Sequence, residues 1–316
     1  MDSLETATPG SARLDERYAR LQDILRSCDS VCIGYSGGVD SVFLAVTAVS
    51  MLGPDRVLAV TGVSPAYPEV QRETAAECAR RFGIPHLEIR TDELDDPDYA
   101  SNPADRCYHC KSELWPKLTG VSRERGLRVV LDGSNADDVH DYRPGAAAAR
   151  EHGVLSPLQE AGLTKADIRQ LSRRLGLPTW DQPAAPCLAS RLPYGVAVTN
   201  ERLRQVELSE AALRELGFRE LRVRHHDDCM RIELGAAELG AAGDRVRAIH
   251  ARLSALRLPP ILLDAEGYRR GALNEVLVQI EKDDRGFAAD SPPGPYRLPS
   301  HRRAGHHGDI AVLAAP

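Results

Sequence analysis

Residues 31–41 read Val-Cys-Ile-Gly-Tyr-Ser-Gly-Gly-Val-Asp-Ser, and the fold prediction starts from this segment. Its first three residues, Val31, Cys32 and Ile33, form a short apolar run bounded by glycine, which is typical of a buried parallel strand. The apolar run that follows Ser41 predicts a mostly buried helix. The serine and glycines between them therefore face a helix N-terminus, where unpaired amides and the helix dipole favour an anion.

Two common phosphate loops are excluded by the residues around these glycines. No lysine follows them, as a Walker A motif requires, and the spacing is not Gly-x-Gly-x-x-Gly. The pattern Ser-Gly-Gly-Val-Asp-Ser resembles the pyrophosphate loop of N-type ATP pyrophosphatases, which cut ATP between its α- and β-phosphates. The resemblance implies that ATP is bound by Ser36, Gly37, Gly38, Val39, Asp40 and Ser41. Asp40 would also be catalytic as a Mg²⁺ ligand, whereas a glycine turn without a ligand is the alternative.

The composition indicates a globular protein of about two domains. The chain has 316 residues, of which 42% are hydrophobic and 27% charged, and a net charge of −6 that argues against non-specific nucleic-acid binding. No apolar run reaches the roughly 20 residues that span a bilayer, and the N-terminus lacks the features of a signal peptide. We therefore expect a cytoplasmic protein with no membrane partner and no stable nucleic-acid partner, whose seven cysteines are thiols.

Alternating strands and helices predict an α/β fold with a doubly wound parallel sheet and right-handed crossovers. Further strands are predicted at 56–63, 86–90, 128–131 and 153–158, with helices at 13–27, 68–82 and 164–175. Residues 92–105 are predicted to be a loop, and a helix is expected after residue 111. Ligands of such sheets bind outside the carboxyl ends of the strands, where the Ser-Gly-Gly turn is expected.

A second polar glycine turn follows the strand predicted at 128–131. Its residues Gly133, Asn135 and Asp138 are candidates for binding the nucleotide or for holding Mg²⁺ on phosphate oxygens. A simple Asn/Asp turn is the alternative.

The predicted domains are a pyrophosphatase domain at 1–195, a smaller α+β domain for substrate or oligomerisation at 196–282, and a disordered tail at 283–316. The proline-rich segment 183–194 cannot form regular structure. In the smaller domain the predicted helices are 200–216 and 244–256, and the predicted strands are 221–224, 230–234, 261–263 and 276–280.

Three cysteines form a candidate metal site. Cys107-x-x-Cys110 fits zinc, redox and iron–sulfur sites, and Cys187 lies in the proline-rich segment. A structural zinc ion would need four ligands, whereas three thiolates leave one iron of a 4Fe–4S cluster open to an exogenous ligand such as sulfide. A stray thiol pair with an unrelated cysteine is the alternative.

Five motifs, taken in order, resemble those of the LarE family of ATP-dependent sulfur transferases in nickel-pincer nucleotide cofactor biosynthesis. They are the loop at 36–41, Arg-Cys-Tyr-His-Cys-Lys at 106–111, Gly-Ser-Asn-Ala-Asp-Asp at 133–138, Cys-Leu-Ala-Ser-Arg at 187–191 and Gly-Tyr-Arg-Arg-Gly at 267–271. The resemblance implies that ATP adenylates a carboxylate of pyridinium-3,5-biscarboxylic acid mononucleotide and that sulfur then replaces AMP. The cycle repeats on the second carboxylate, and the family tends to form homo-hexamers.

The same resemblance leaves two sulfur sources open. Some members sacrifice the cysteine equivalent to Cys187, whereas others hold a 4Fe–4S cluster whose free iron carries sulfide from a sulfur donor. Because Cys107 and Cys110 accompany Cys187, the cluster route is favoured, with Cys187 as a catalytic residue in either route.

Candidate contacts to the anionic substrate are four arginines. Arg222 and Arg224 alternate on a predicted strand and share one face, which the resemblance identifies as the substrate-phosphate patch, with Glu233 in a nearby divalent-metal site. Arg106 and Arg191 each lie close to one of the candidate cluster cysteines. For the strand pair, the alternative is a solvated sheet face.

Other functions remain open at this point. A related tRNA-thiolating pyrophosphatase is disfavoured by the negative charge, and an ammonia-using synthetase would leave the three cysteines without a role. A non-enzymatic module that senses ATP and redox state through a cluster is the third alternative.

Overall fold

The computed structural model describes residues 9–140, 144–226, 228–256, 258–269 and 311–312. It divides into two compact units, the first formed by Met1–Asp96 and Asp105–Cys187, the second by Pro97–Ala104 and Leu188–Pro316. Residues 97–104 and 188–195, which the sequence assigns to the first domain, thus group with the second unit. As functional divisions the predicted domains remain predictions.

In chain order the helices are α1 (Pro9–Cys28), α2 (Val39–Leu52), α3 (Glu69–Arg81), α4 (Pro97–Ala100), α5 (Arg106–Glu124), α6 (Pro144–Glu151), α7 (Pro157–Glu160), α8 (Lys165–Arg174), α9 (Asn200–Glu215) and α10 (Ala236–Ser254). The strands are β1 (Val31–Gly34), β2 (Val57–Val63), β3 (His86–Arg90), β4 (Val129–Leu131), β5 (Leu221–His225), β6 (Met230–Leu234), β7 (Ile261–Leu263) and β8 (Ala311–Val312). Short 3₁₀ helices are Pro54–Arg56, Glu93–Asp95, Ala136–His140 and Leu188–Arg191.

The first unit is built on a parallel sheet with strand order β3-β2-β1-β4. Side chains of β1 point alternately to its two faces. Val31 and Ile33 join a core with α1, α2, α3 and α8, whereas Cys32 joins a second core with α5 and α6. Helices cover both faces, and the predicted doubly wound α/β fold is confirmed.

The carboxyl edge of this sheet collects the starts of several helices. β1 lies between β2 and β4, so the turns after β1 and β4 flank the point where the strand order reverses, and ligands of such sheets bind there. Helix α5 belongs to the connection between the parallel strands β3 and β4, and its C-terminus precedes the start of β4. Its first turn therefore lies towards the carboxyl edge of the sheet. The phosphate loop, the second glycine turn and Cys107 therefore belong to the same edge.

The second unit contains a sheet with order β5-β6-β7-β8, in which only β6 and β7 pair in parallel. Its segment 97–104 is fixed by Asn102, which is fully buried and has a φ of 59°. The Asn102 amide donates to the carbonyls of Pro193 at 2.7 Å and Val196 at 2.8 Å. These bonds explain why a segment from the middle of the first domain's sequence groups with the second unit.

Three loop and strand predictions were wrong in detail. Residues 92–105 contain the 3₁₀ helix Glu93–Asp95 and α4, and segment 183–194 contains the 3₁₀ helix Leu188–Arg191. The strand predicted at 153–158 is reduced to one bridge between Leu155 and Leu131, because Pro157 begins α7. Proline favours the first position of a helix and ends strand pairing.

Helix α10 begins at Ala236, eight residues before the predicted start. Glycines at 240 and 243 lie inside this helix, and an isolated glycine lowers the stability of a helix by only about 1 kcal/mol relative to alanine. Packing of the buried residues Ala242, Ile249 and Leu253 offsets that cost.

Within the segment predicted to be a disordered tail, residues 311–312 form β8 and pair with β7, and the tail as a whole stays a prediction. The other residues from 283 onward, and the strand predicted at 276–280, lie outside the described residues. None of the helices in the described part combines the length and apolar character that a bilayer crossing requires.

Candidate functional site

The loop after β1 has a conformation that only glycine tolerates at residue 37. Gly37 has a φ of +65°, and a Cβ atom there would lie 2.7 Å from the Cβ of Ala75. The Ser36 carbonyl accepts hydrogen bonds from Gln71 Nε2 at 2.9 Å and from the Tyr67 hydroxyl at 3.1 Å. Helix α3 and the segment before it thus hold the backbone of the loop in place.

The loop opens onto the N-terminus of α2. The Ser36 amide donates to Ser41 Oγ at 3.2 Å, and the Ser41 hydroxyl donates to the Gly38 carbonyl at 3.2 Å. Gly38 is the N-cap residue, and no side chain among the described residues caps the helix. The predicted anion site therefore has the required backbone arrangement, in which helix amides and hydroxyls face one turn.

Asp40 is paired with a lysine that the sequence analysis missed. The Lys165 ammonium lies 2.5 Å from Asp40 Oδ2, while Oδ1 is buried without a hydrogen-bond partner in the described part of the chain. Lys165 is the first residue of α8, and Thr164 forms a capping box with Asp167. The only signal in the sequence was a lysine next to a good cap residue. The ammonium group of Lys165, on α8, thus lies beside the phosphate loop, which contains no lysine.

The second glycine turn packs against the same helix start. A Cβ atom on Gly133 would lie 3.3 Å from the Ser41 amide nitrogen and 3.5 Å from Asp40 Cβ. The structure therefore brings together the two turns that the sequence singled out.

Within that turn, polar side chains hold their own backbone. Asp138 Oδ2 accepts from the Asn135 amide at 3.0 Å, and Asn135 Oδ1 accepts from the Asp137 amide at 3.0 Å. The Asp132 carboxylate accepts from the amide and the hydroxyl of Ser134. This geometry is that of an Asn/Asp turn. Nucleotide or Mg²⁺ binding by Gly133, Asn135 and Asp138 stays a prediction.

Cys107 and Cys110 lie within the first turns of α5, not in a loop before it. The predicted boundary was wrong because residues 106–111 contain no glycine or proline, so the helix extends back to Asp105 at its N-cap. The absence of a side chain on Gly145 allows α6 to approach the Cys107 carbonyl, which would be 3.2 Å from a Cβ atom there.

The three candidate thiols share one neighbourhood of the first unit. Burial raises the pKa of Cys110 to about 12; Lys111 lowers it, while Glu93, Cys187 and Cys107 raise it further. Cys107 is exposed, and the other two are partly exposed. Among the described residues, no group of three or more His, Cys, Asp and Glu side chains is spaced to hold a metal ion. The three thiols have the chemistry that a cluster site requires. In this conformation, however, they are not spaced to bind one metal centre.

In the second unit, Arg222 and Arg224 are buried on one face of β5, with exposed fractions of 5% and 6%. The alternative of a solvated strand face is thus wrong. Arg224 Nε donates to Glu233 Oε2 at 3.0 Å, and Arg224 Nη1 donates to the Ser190 carbonyl at 2.8 Å. The guanidinium of Arg222 lies 4.9 Å from the ring centroid of Tyr268. Buried arginines of this kind are costly unless anions match them.

Glu233 is flanked by two arginines, Arg224 and, at 3.7 Å, Arg231. Burial raises its pKa, although Arg224 opposes this. The positive neighbours compete with a metal ion for the carboxylate, and the divalent-metal role of Glu233 stays a prediction.

Arg191 and Arg106 are also buried. Arg191 is 1% exposed and makes a bidentate ion pair with Glu210, at 2.8 and 3.0 Å. Arg106 is 5% exposed at the start of α5. In this conformation the Arg191 guanidinium is paired with Glu210. Substrate contact by Arg191 or Arg106 stays a prediction.

Comparison with known proteins gives a consistent set of relatives. Residues 15–102 match the family model described as NAD synthase. The chain is 40% identical over 272 residues to an uncharacterized protein of Synechocystis sp., covering 84% of this chain and 100% of that protein. It is 35% identical over 273 residues to the pyridinium-3,5-bisthiocarboxylic acid mononucleotide synthase of Lactiplantibacillus plantarum, covering 85% and 98% of the two chains. It is 29% identical over 183 residues to an NH₃-dependent NAD⁺ synthetase of Methanosarcina mazei, covering 52% and 68%.

Proposed function

The chain belongs to the LarE family, that of the pyridinium-3,5-bisthiocarboxylic acid mononucleotide synthases, and we propose that it is an ATP-dependent sulfur transferase of nickel-pincer cofactor biosynthesis. In this role it adenylates the carboxylates of pyridinium-3,5-biscarboxylic acid mononucleotide and replaces AMP by sulfur. The observation that carries the proposal is the loop at 36–41, whose Gly37 geometry and open helix N-terminus suit a pyrophosphate.

In the adenylation step the protein mainly positions ATP and offsets its charge. The loop amides and Ser41 bind the pyrophosphate group, and Asp40 takes a Mg²⁺ ion. Lys165 supplies a positive charge that pairs with Asp40 in the nucleotide-free chain and would turn to a phosphate oxygen if Asp40 held the Mg²⁺ ion of Mg-ATP. Support for this exchange comes from the 2.5 Å Lys165–Asp40 contact and from the unpartnered Asp40 Oδ1.

Sulfur is delivered from the neighbourhood of Cys107, Cys110 and Cys187. These three thiols would hold a 4Fe–4S cluster, which when bound supplies an open iron position for exogenous sulfide. Cys187 follows a segment without regular helix or strand, so it can move to ligating distance more readily than the two cysteines on α5. Sacrifice of Cys187 itself is the alternative source.

The substrate's phosphate is bound by Arg222 and Arg224. Their placement favours this role, because two guanidinium groups lie on one buried face of β5 and arginine pairs strongly with phosphate oxygens.

The test is an assay of AMP and pyrophosphate with Mg-ATP, in the presence and absence of the pyridinium substrate. We expect both products only with that substrate, and we expect Asp40→Asn to lower the rate at least 100-fold. Release of AMP in the absence of the substrate, or only with tRNA, would overturn the assignment. Cys187→Ser should keep pyrophosphate release in the adenylation step but abolish thiocarboxylate formation and the AMP release that accompanies it.

A further inference from the structure

A polar cavity of about 240 Å³ lies in the first unit beside the cysteine motif. It is lined by Asp92, Glu93, Asp96, His109, Ser112 and Glu113. The function proposed above uses none of these side chains. With a water molecule occupying roughly 30 Å³ in the liquid, the cavity is large enough for a hydrated ion.

The cavity carries an excess of negative charge. Lys117 pairs with two of the carboxylates, since its ammonium lies 2.9 Å from Asp92 Oδ2 and 2.6 Å from Glu113 Oε1. Arg90 adds a second contact to Asp92. The buried carboxylate of Glu93, whose Oε1 contacts the Ser64 hydroxyl, adds a further negative charge. A cation is therefore the ligand that the field of the cavity favours.

Glu93 provides an independent sign of a missing partner. It is 96% buried, with 4% of its surface exposed, and its Oε1 accepts from the Ser64 hydroxyl at 2.5 Å. Its Oε2 is buried with no hydrogen-bond partner in the described part of the chain. An unmatched buried carboxylate oxygen is costly unless a donor or a cation fills the space beside it.

His109 brings a nitrogen donor to the same place. Its Nδ1 lies 3.7 Å from Asp96 Oδ2. Two ligand atoms of one transition-metal ion, each about 2.1 Å from it, are separated by roughly 3 to 3.5 Å. A small rotation of either side chain would allow both to bind one ion.

We propose that this cavity binds a divalent cation of the Mn²⁺ and Fe²⁺ class through His109 and Asp96, with water as the remaining ligands and Glu93 accepting a hydrogen bond from one of them. Two protein ligands are consistent with the absence of any preformed group of three metal-binding side chains in the described residues. Imidazole together with carboxylate suits these ions, and the site is separate from the sulfur donors of the three cysteines.

The experiment uses Mn²⁺ alone with the purified full-length chain, without ATP or substrate. Electron paramagnetic resonance of free Mn²⁺ gives the number and affinity of bound ions, and ¹⁴N coupling to bound Mn²⁺ reports a histidine ligand. We expect one bound ion that is lost in Asp96→Asn and in His109→Gln, and an affinity that falls about 10-fold in Glu93→Gln. The ¹⁴N coupling is expected to disappear in His109→Gln.

Asp95→Asn is the matched control, because Asp95 lies in the same turn as Glu93 but is exposed and does not line the cavity. Equal Mn²⁺ binding by the unaltered chain and Asp96→Asn would overturn the proposal. Equal losses of Mn²⁺ binding in Asp95→Asn and Asp96→Asn would also overturn it, since non-specific electrostatic attraction would then account for the binding. Thermal unfolding shows whether each variant is folded. If Asp96→Asn and His109→Gln do not fold, the Mn²⁺ affinity of Glu93→Gln decides the question, and an unchanged affinity would overturn the proposal. No outcome depends on the sulfur-transfer assignment, because neither nucleotide nor substrate is present.

Discussion

Gly37 is the residue on which the phosphate loop depends most. Gly37 has a positive φ, and a Cβ atom there would lie 2.7 Å from the Cβ of Ala75, so alanine at this position is both strained and obstructed. We expect Gly37→Ala to abolish substrate-dependent AMP release. Gly53→Ala is the control, because Gly53 also has a positive φ but nothing lies within 4 Å of its Cβ position. That control should lose about 1–2 kcal/mol of stability and keep its activity. Equal activity in both variants would refute the role of the loop.

Cys110 and Cys107 should differ in reactivity in the metal-free protein. Burial raises the pKa of Cys110 to about 12, so little thiolate exists near neutral pH, whereas Cys107 is exposed. We expect iodoacetamide to modify Cys107 at least 10-fold faster at pH 8. The rate at Cys110 should rise about 10-fold per pH unit between pH 8 and 10, because its thiolate fraction grows towards the raised pKa. Peptide mass spectrometry measures both rates, and a plateau for Cys110 by pH 9 would contradict this expectation.

The sequence identified some of these residues and not others. The position of Gly37 and Gly38 between a predicted strand and a predicted helix was sufficient to predict the phosphate loop, because backbone conformation is a local property. Lys165 was missed because its partner, Asp40, is 125 residues away and their contact depends on the packing of α8. Burial of Arg222 and Arg224 was likewise invisible in a strand pattern that is equally consistent with a solvated face.

Helix α8 positions Lys165 through its N-terminal cap. The Thr164 hydroxyl accepts from the Asp167 amide at 3.2 Å, and Asp167 accepts from the Thr164 amide at 3.0 Å. We expect Thr164→Ala to cost about 1 kcal/mol of stability and to raise the KM for ATP several-fold, because the first turn would fray. Urea unfolding and steady-state kinetics measure the two effects.

Thr199→Ala is the matched control, since Thr199 caps α9 by the same contact to the Arg202 amide. It should cost similar stability and leave the KM for ATP unchanged. If both variants raise this KM equally, the effect is one of general stability and not of Lys165 position.

Strand positions were predicted better than helix starts. β3, β6 and β7 match the predicted bounds, because short apolar or alternating runs lie between clear turn residues. The starts of α5 and α10 were placed too late, where tertiary packing extends a helix through residues of neutral or low propensity. The cysteine motif was consequently assigned to a loop.

The second unit contains a fully buried ion pair whose loss should destabilise the protein as a whole. Glu210 is unexposed; burial tends to raise its pKa, but Arg191 and Arg214 hold it below the usual 4.5. We expect Arg191→Met to cost about 3–5 kcal/mol, since it leaves a buried charge without its partner. The double variant with Glu210→Gln should recover most of this loss, because glutamine still accepts from the Val223 amide. Thermal unfolding of both variants checks the pair, and equal losses would contradict it.

The same pair predicts a pH dependence. Because the folded pKa of Glu210 is lowered, its contribution to stability is complete above pH 4.5 and is lost as the pH falls through the lower folded value. Arg191→Met should therefore show less acid sensitivity than the unaltered chain between pH 5 and 3. A denaturation series in that range measures the difference, and parallel curves would exclude this origin.

The division into units was the feature least accessible from sequence. The chain passes between the units near residues 96, 104 and 187, next to Asp96, Asp105 and Cys187. Segment 97–104 groups with the second unit through Asn102, which has a positive φ. Its side-chain amide donates to three carbonyl groups of residues about 90 positions later in the chain. No local pattern marks such a pairing, whereas the α/β alternation of the first unit is visible at once.

The most direct test of the account measures product and chain mass together over many turnovers. The anaerobically reconstituted protein is supplied with Mg-ATP, the pyridinium substrate and sulfide, and thiocarboxylate, AMP and intact protein mass are followed. We expect AMP and thiocarboxylate in equal amounts, well above one equivalent per chain, with an unchanged protein mass. Product that stops at one equivalent, with the loss of one H₂S at Cys187, would contradict delivery of sulfur by the three thiols.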